Sequence, residues 1–270
     1  MGAYVDGMSA KGTYVYCLVG ARSKPSLSRV PKGPRGTGAV RAIEIDLGPM
    51  KPAGLHVWLI VADVPLDQFG EARVNKRLRD LDWVARAAVA HEAVIETFAA
   101  APAVLPMKLL TIFTSDDRAV DHVRSDPARV RAILSRVMDH EEWGIRLVLD
   151  RSRAKSVRRD GRSASLSGAG YLARKKALHD QTAELAARAS DVVADLRESL
   201  ERHASEIRNR AAREMPVQGG PLLLDEALLV SRTRAKKFRA AIAKEARKLE
   251  PQGYRIALTG PWPPYSFLQD

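Results

Sequence analysis

The sequence contains a single cysteine, Cys17, and only 6% aromatic residues. One cysteine excludes a disulfide within the chain, so a reducing cytoplasm is the expected compartment and a buried thiol the expected role. Long hydrophobic runs are also missing, since the best one covers residues 57–62 and is far too short to cross a bilayer. No basic segment followed by an apolar one opens the chain, so we expect neither a membrane span nor export by such a signal.

Motifs for metal binding are incomplete. His91-Glu92 begins like a zinc-binding helix, but the second histidine four residues later is replaced by Ile95. The stretch 140–142 fails in the same way, with Gly144 at that place. We interpret His91 as a hydrogen-bonded histidine at the edge of the core or as a contact to a partner.

Motifs for nucleophilic catalysis and phosphate binding are incomplete too. Residues 161–165 lack the closing glycine of a nucleophile elbow, and residues 168–170 lack the rest of a phosphate-binding loop. The glycines of 168–170 are better explained as a flexible entry to a helix. The sequence therefore predicts no catalytic residue, no cofactor and no metal, and thus a protein that is not an enzyme.

The chain is strongly basic, with a formal net charge of +12 and a pI near 10.0. Lysines and arginines crowd into residues 151–162, within a predicted solvated basic loop at 151–167. No aromatic residue interleaves them to stack on bases, so specific nucleic-acid binding is not expected. A basic nucleic-acid-binding module without catalytic activity stays open as the alternative function, because phosphates attract such charge.

The length of 270 residues, with 46% hydrophobic and 28% charged residues, suits two globular domains. We predict an α+β fold with a boundary near Asp139. The first domain, residues 1–139, is predicted to contain a mixed sheet, helices and a flexible loop at 21–38. The second domain, residues 140–270, is predicted to be a ferredoxin-like unit with a long helical, coiled-coil-like arm and an extended C-terminal tail.

Short apolar segments in the first half predict strands at residues 13–19, 39–45, 56–61 and 103–113. Between them, helical spacing from Val74 to Ala99 predicts one long helix that packs on the sheet through a stripe including Leu78, Leu81 and Ala85. Two shorter helices are predicted after Ser115 and at residues 126–127, where an Asp-Pro pair supplies a cap and a first-turn proline.

The second half begins with a strand at 143–149. Residues 171–214 contain no proline or glycine and predict a long helix. A strand at 222–230, a helix after Ser231 and a strand at 254–257 follow. This order of strands and helices is similar to that of a ferredoxin-like unit.

The chain ends in LTGPWPPYSF, residues 258–267, and three prolines in this stretch each remove a backbone donor. We expect the segment to leave a sheet edge as an extended arm. Trp262, Tyr265 and Phe267 then form an apolar ridge on a stiff backbone, which is suited to docking on the same chain or on a partner.

This ending closely resembles the terminal signature of the GvpF/GvpL family of gas vesicle proteins. Further segments agree in order over roughly residues 14–267, namely Tyr14-Val15-Tyr16, His91-Glu92 with Val94, residues 104–108, Glu142-Trp143-Gly144, Gly170-Tyr171-Leu172 and Arg174-Lys175-Lys176. The chain departs from the pattern after Pro106. The family usually has an aromatic residue and then a glycine there, which would serve a tight turn, whereas this chain has Leu109 and Leu110.

The resemblance implies a non-enzymatic accessory or minor structural protein of gas vesicle assembly, located in the cytoplasm and on the vesicle wall. The implied partners are the small hydrophobic shell protein GvpA and other accessory Gvp proteins, and nucleation of the shell is one step at which they would act. The candidate partner-binding residues are Trp262, Tyr265, Phe267, His91, Glu92 and Trp143.

Overall fold

The computed structural model describes residues 10–50, 53–150, 168–210 and 220–268. The chain forms two compact units: unit 1 comprises Met1–Glu141 and Trp262–Asp270, and unit 2 comprises Glu142–Pro261. The prediction had placed the C-terminal tail in the second domain, whereas its contacts group it with the first unit. The predicted basic loop at 151–167 lies outside the described residues.

Unit 1 contains a five-stranded sheet in the order β2-β3-β1-β4, with β5 paired to β1. Nearly every residue of β1 is buried, as in a central strand covered on both faces. All four strand pairs are antiparallel, so the predicted mixed sheet is corrected. The strands are β1 (Lys11–Ala21), β2 (Val40–Ile45), β3 (His56–Pro65), β4 (Ala103–Pro106) and β5 (Ile112–Phe113).

The segment between β4 and β5 contains a tight turn at the place where the family pattern has glycine. Leu110 adopts a φ of 63°, in the left-handed region, and the amide of Thr111 donates to the carbonyl of Lys108 at 3.1 Å. The turn is therefore present although a leucine occupies it. It also explains why the strand predicted over 103–113 is divided in two.

Five helices accompany this sheet in the described part of unit 1: α1 (Leu66–Phe69), α2 (Glu71–Arg77), α3 (Leu81–Glu96), α4 (Asp116–Arg124) and α5 (Pro127–Val137). The single long helix predicted over 74–99 is wrong, because the carboxylate of Asp80 accepts a hydrogen bond from the amide of Trp83 at 3.0 Å and caps a new helix there. Helices α4 and α5 begin at the predicted caps, Ser115 and Asp126.

Unit 2 follows the order strand, helix, strand, strand, helix, strand, and its four-stranded sheet has the order β7-β8-β6-β9. The elements are β6 (His140–Leu149), α6 (Gly168–Glu201), β7 (Glu206–Asn209), β8 (Leu222–Ser231), α7 (Ala235–Leu249) and β9 (Tyr254–Trp262). Within the described ranges, every helix is too short or too polar to traverse a bilayer.

The helix predicted over 171–214 is wrong beyond its first part. Helix α6 ends at Glu201, and residues 206–209 form β7, which pairs antiparallel with β8. Helix propensity is a weak preference, and the pairing of Ile207 opposite Leu228 in the sheet overrides it. Ala189, Leu196 and Leu200 of α6 are buried in the core of unit 2, so this part of the predicted arm packs on the sheet.

Candidate functional site

The C-terminal segment, residues 262–268, turns back on itself after β9. Pro263 and Pro264 are buried, and residues 265–267 form a turn of 3₁₀ helix. The amide of Tyr265 donates to the carbonyl of Pro263 at 2.7 Å, and that of Phe267 donates to the carbonyl of Pro264 at 3.1 Å. The predicted arm is therefore extended only up to Trp262, where β9 ends. Beyond it the chain forms a compact turn, in which Pro263 and Pro264 supply acceptors and fix φ.

Phe267 anchors this segment in unit 1. Its side chain is fully buried, and its carbonyl accepts a hydrogen bond from Nη1 of Arg136 on α5 at 3.3 Å. Burying a phenylalanine stabilises the segment by about 2–3 kcal/mol. Phe267 therefore has a structural role here and offers no surface for a partner.

Tyr265 attaches the segment to helix α3. Its hydroxyl donates a hydrogen bond to Oε2 of Glu92. Burial, followed by this bond and the Glu92 charge, raises the pKa of Tyr265, so the hydroxyl stays protonated and keeps its role as donor. Tyr265 is still 39% exposed as a residue, and Trp262 is 43% exposed.

The carboxylate of Glu92 is only half satisfied by this contact. Its Oε1 atom is buried and has no hydrogen-bond partner among the described residues. Burial raises the pKa of Glu92, the Tyr265 bond partly offsets this, and the nearby Glu96 adds to the rise. The ionised form of Glu92 is therefore less favourable in this site than it would be for a glutamate in water.

His91 precedes Glu92 on α3 and is buried. The amide of Leu110 donates to the Tyr14 hydroxyl at 3.2 Å, which leaves the phenolic proton for Nδ1 of His91 at 3.0 Å. The Nε2 atom of His91 then donates to the carbonyl of Met107 at 3.1 Å. Burial lowers the pKa of His91, consistent with this neutral form. The structure fits the hydrogen-bonded core histidine and not the partner contact.

Trp143 lies in the other unit and is also buried. Its ring packs 5.8 Å from the ring of Phe238, centroid to centroid, in the core of unit 2. Direct contact of Trp143 with a partner does not fit this placement. Of the predicted partner-binding set, Trp262, Tyr265, Phe267, His91 and Glu92 belong to unit 1, and Trp143 belongs to unit 2. Among these residues the structure shows a direct contact between Tyr265 and Glu92.

An exposed apolar stripe runs along α3 and was missed by the sequence analysis. We call Leu81, Ala85 and Val89 the α3 stripe; Leu81 is 78% exposed and Val89 is 71% exposed. The prediction had placed Leu81 and Ala85 on the face that packs on the sheet, but that face is formed by Ala87, His91, Val94 and Ile95. Because residues three and four apart are neighbours on a helix, Glu92 continues the stripe and brings Tyr265 to its end.

Metal binding has no support from the side chains that the structure describes, because they include no group of three or more His, Cys, Asp or Glu residues able to hold an ion. What the described site offers is an apolar surface with one acidic group and one phenol at its edge. Such a surface suits binding to another protein.

Comparison with known proteins gives consistent matches. The model of the family described as "Gas vesicle synthesis protein GvpL/GvpF" matches residues 12–269. Gas vesicle protein L of Streptomyces sp. (strain CB03234) is 29% identical over 94% of this chain and 91% of its own. Gas vesicle protein F of the same strain is 30% identical over 95% of this chain and 99% of its own.

Two crystal structures share the fold. GvpF from Anabaena sp. PCC7120 matches with a TM-score of 0.66 at 14% identity, over 96% of this chain and 97% of that one. GvpF from Microcystis aeruginosa matches with a TM-score of 0.64 at 15% identity, over 96% and 99%. Since the family model covers nearly the whole sequence, the chain belongs to the GvpL/GvpF family of gas vesicle synthesis proteins.

Proposed function

We propose that this protein is an accessory protein of gas vesicle assembly that binds the shell protein GvpA and other accessory Gvp proteins. The binding surface is formed by the exposed rings of Trp262 and Tyr265 together with the α3 stripe. The protein acts in the cytoplasm and on the vesicle wall, where such contacts assist nucleation of the shell. Family membership supports the assembly role, and the surface supports the mode of binding.

The observation that carries the proposal is the combination of exposure and anchoring in the C-terminal segment. Trp262 and Tyr265 are 43% and 39% exposed, while Phe267 and the bond to Glu92 fix the backbone beside them. A tryptophan and a tyrosine held in place lose little conformational entropy when a partner covers them. Aromatic residues of this kind dominate the binding energy of protein interfaces.

The α3 stripe extends the aromatic pair into a larger apolar surface. Leu81, Ala85 and Val89 recur every four residues, which is the pattern that receives the apolar face of another element. A small hydrophobic shell protein has to be kept from self-association before it is added to a wall. An apolar surface on an accessory protein serves that purpose by covering apolar surface on the shell protein.

We also propose that unit 2 is a ferredoxin-like domain. Its order of elements and the sheet order β7-β8-β6-β9 support this assignment. In this proposal, unit 2 folds independently of the C-terminal segment and supplies its own core.

The test is co-purification of GvpA with variants of this protein. Trp262→Ala combined with Val89→Ala removes the centre of the surface without touching the anchor Phe267. The matched control is Leu185→Ala on α6, because Leu185 is 42% exposed, close to the value for Trp262. We expect the double variant to capture at least about fivefold less GvpA, since an interface aromatic contributes about 1–2 kcal/mol or more.

Melting temperatures of all three proteins are measured on the same preparations. The proposal requires that the double variant and the control melt within a few degrees of the wild type, because their side chains are exposed. Undiminished capture by the double variant, or an equal loss in Leu185→Ala, contradicts it.

A further inference from the structure

Helix α7 of unit 2 has two chemically opposite faces. Phe238, Ile242 and Leu249 are buried in the core. The opposite, exposed side carries what we call the basic face, formed by Lys236, Lys237, Arg239, Lys244 and Arg247. None of these five cations forms an ion pair with another residue in the described ranges; the ion pair on this helix joins Lys248 to Glu245 at 3.7 Å.

The basic face works against the stability of its own helix. Lys236 and Lys237 lie in the first turn, which contains no acidic residue, so they face the positive end of the helix dipole. Lys236 and Arg239 are three residues apart, as are Lys244 and Arg247, which places like charges side by side. Proteins depart from locally favourable arrangements mainly at functional sites, so this unfavourable placement of charge points to a role in binding.

The shape of the basic face narrows the kind of partner. Ala240 and Ala243 are exposed between the two cation pairs, so another backbone can approach the helix closely there. The face has no aromatic residue to stack on a base and no large apolar residue to insert into a lipid surface. From residue 236 to residue 247 the helix rises by about 16 Å, or three turns.

We propose that the basic face is a docking surface for an acidic α-helix of a partner protein. The partner helix carries Asp or Glu at spacings of three and four over about three turns, and these carboxylates pair with the two cation pairs. The alanines let the two axes approach to about 8–10 Å. The surface belongs to unit 2, and the inference does not depend on the binding of GvpA to the C-terminal segment of unit 1.

The experiment uses the full-length protein and fluorescent peptides. The first probe is an alanine-based helical peptide of about 20 residues with glutamates at spacings of three and four. The second carries the same charge but has two central alanines replaced by proline, which breaks the helix. A single-stranded DNA and vesicles containing anionic lipid serve as further probes, and binding is followed by fluorescence anisotropy or co-sedimentation.

Two variants of equal charge are compared with the wild type. One carries Lys236→Glu, Arg239→Glu, Lys244→Glu and Arg247→Glu. The control carries Arg22→Glu, Lys24→Glu, Arg29→Glu and Lys32→Glu, which reverses four exposed cations without a described ion pair in the loop after β1. Circular dichroism and melting curves establish that both variants fold.

We expect the helical peptide to bind the α7 variant at least about tenfold more weakly than it binds the wild type. Its affinity for the loop variant should lie within about twofold of its affinity for the wild type. The proline-containing peptide should bind the wild type at least about tenfold more weakly than the helical one. The proposal is overturned if the helical peptide does not bind, if both peptides bind equally well, or if both variants lose binding equally. It is also overturned if DNA or vesicles bind as tightly as the helical peptide and the α7 variant loses that binding.

Discussion

The hydroxyl of Tyr265 donates a hydrogen bond to the carboxylate of Glu92, which lies 173 residues earlier in the chain. This bond attaches the C-terminal segment to α3 at the end of the α3 stripe. The bond therefore sets the position of an exposed ring that the proposed interface requires.

Glu92→Gln should make unit 1 more stable at neutral pH. The pKa of Glu92 is raised above its ordinary value of 4.5, chiefly by burial, so the folded state holds the proton more tightly than the unfolded state. The stabilisation from the protonated form is complete below the unfolded pKa and is lost as the pH rises through the folded pKa. Glutamine keeps an acceptor for Tyr265 and has no charge to bury.

Melting temperatures of wild type and Glu92→Gln from about pH 4 to pH 8 check this expectation. The difference should be near zero at the acidic end and grow with pH in favour of the variant. Tyr265→Phe serves as the control, because it removes the donor and should lower the melting temperature while the pH dependence remains. A difference between wild type and Glu92→Gln that is constant with pH would show that the charge of Glu92 is not the cause.

Phe267→Ala should destabilise unit 1 far more than Trp262→Ala. Truncating a buried phenylalanine costs about 3–5 kcal/mol, whereas an exposed side chain away from special contacts costs about 0.5 kcal/mol or less. Phe267 is fully buried and Trp262 is not. Urea unfolding curves of the two variants measure the difference, and equal midpoints would contradict the division of roles between anchor and contact.

Several features of unit 1 follow from the sequence because they depend on local chemistry. The caps at Ser115 and Asp126 start their helices where short polar side chains precede an apolar pattern. Local chemistry does not predict in the same way which side of α3 is buried. Alanine and valine occur on both the buried and the exposed side of this helix, so the pattern alone does not choose between them. The burial of His91 depends on the hydrogen bonds that Tyr14 and Met107 provide.

The candidate site itself required long-range information. The aromatic residues of the ending were predicted as a ridge, but their division into a buried Phe267 and an exposed Trp262 depends on where the chain returns. The strand β7 was missed for a related reason. Its residues have helix-favouring neighbours, and pairing with β8 decides their conformation.

Reversing charge at the start of α7 should stabilise the helix. Lys236→Glu with Lys237→Glu places negative charge at the positive end of the helix dipole, which contributes about 0.3–1 kcal/mol per residue at low salt. We expect higher melting temperatures than the wild type at low ionic strength and a smaller gain at high salt. Arg22→Glu with Lys24→Glu is the control, and it should change neither the melting temperature nor its dependence on salt. A gain that does not respond to salt would point to a cause other than electrostatics.

Leu110 stands at the position where the family pattern has glycine, and its φ of 63° lies in the left-handed region. Such a conformation costs a residue with a side chain about 1–2 kcal/mol, and it persists here because the Leu110 amide donates to the hydroxyl of Tyr14 at 3.2 Å. Glycine adopts this φ without strain and keeps the amide. The strain at this turn is therefore removable by a single substitution.

Leu110→Gly should accordingly be tolerated much better than Leu109→Gly, which is the matched control. Both leucines are half-buried, and both substitutions lose a side chain and add backbone freedom, but Leu109 has no positive φ to relieve. The free energies of unfolding of the two variants, from urea titration, should differ by about 1–2 kcal/mol in favour of Leu110→Gly. An equal or larger loss at position 110 would mean that the packing of the Leu110 side chain in the core of unit 1 outweighs the strain of its backbone.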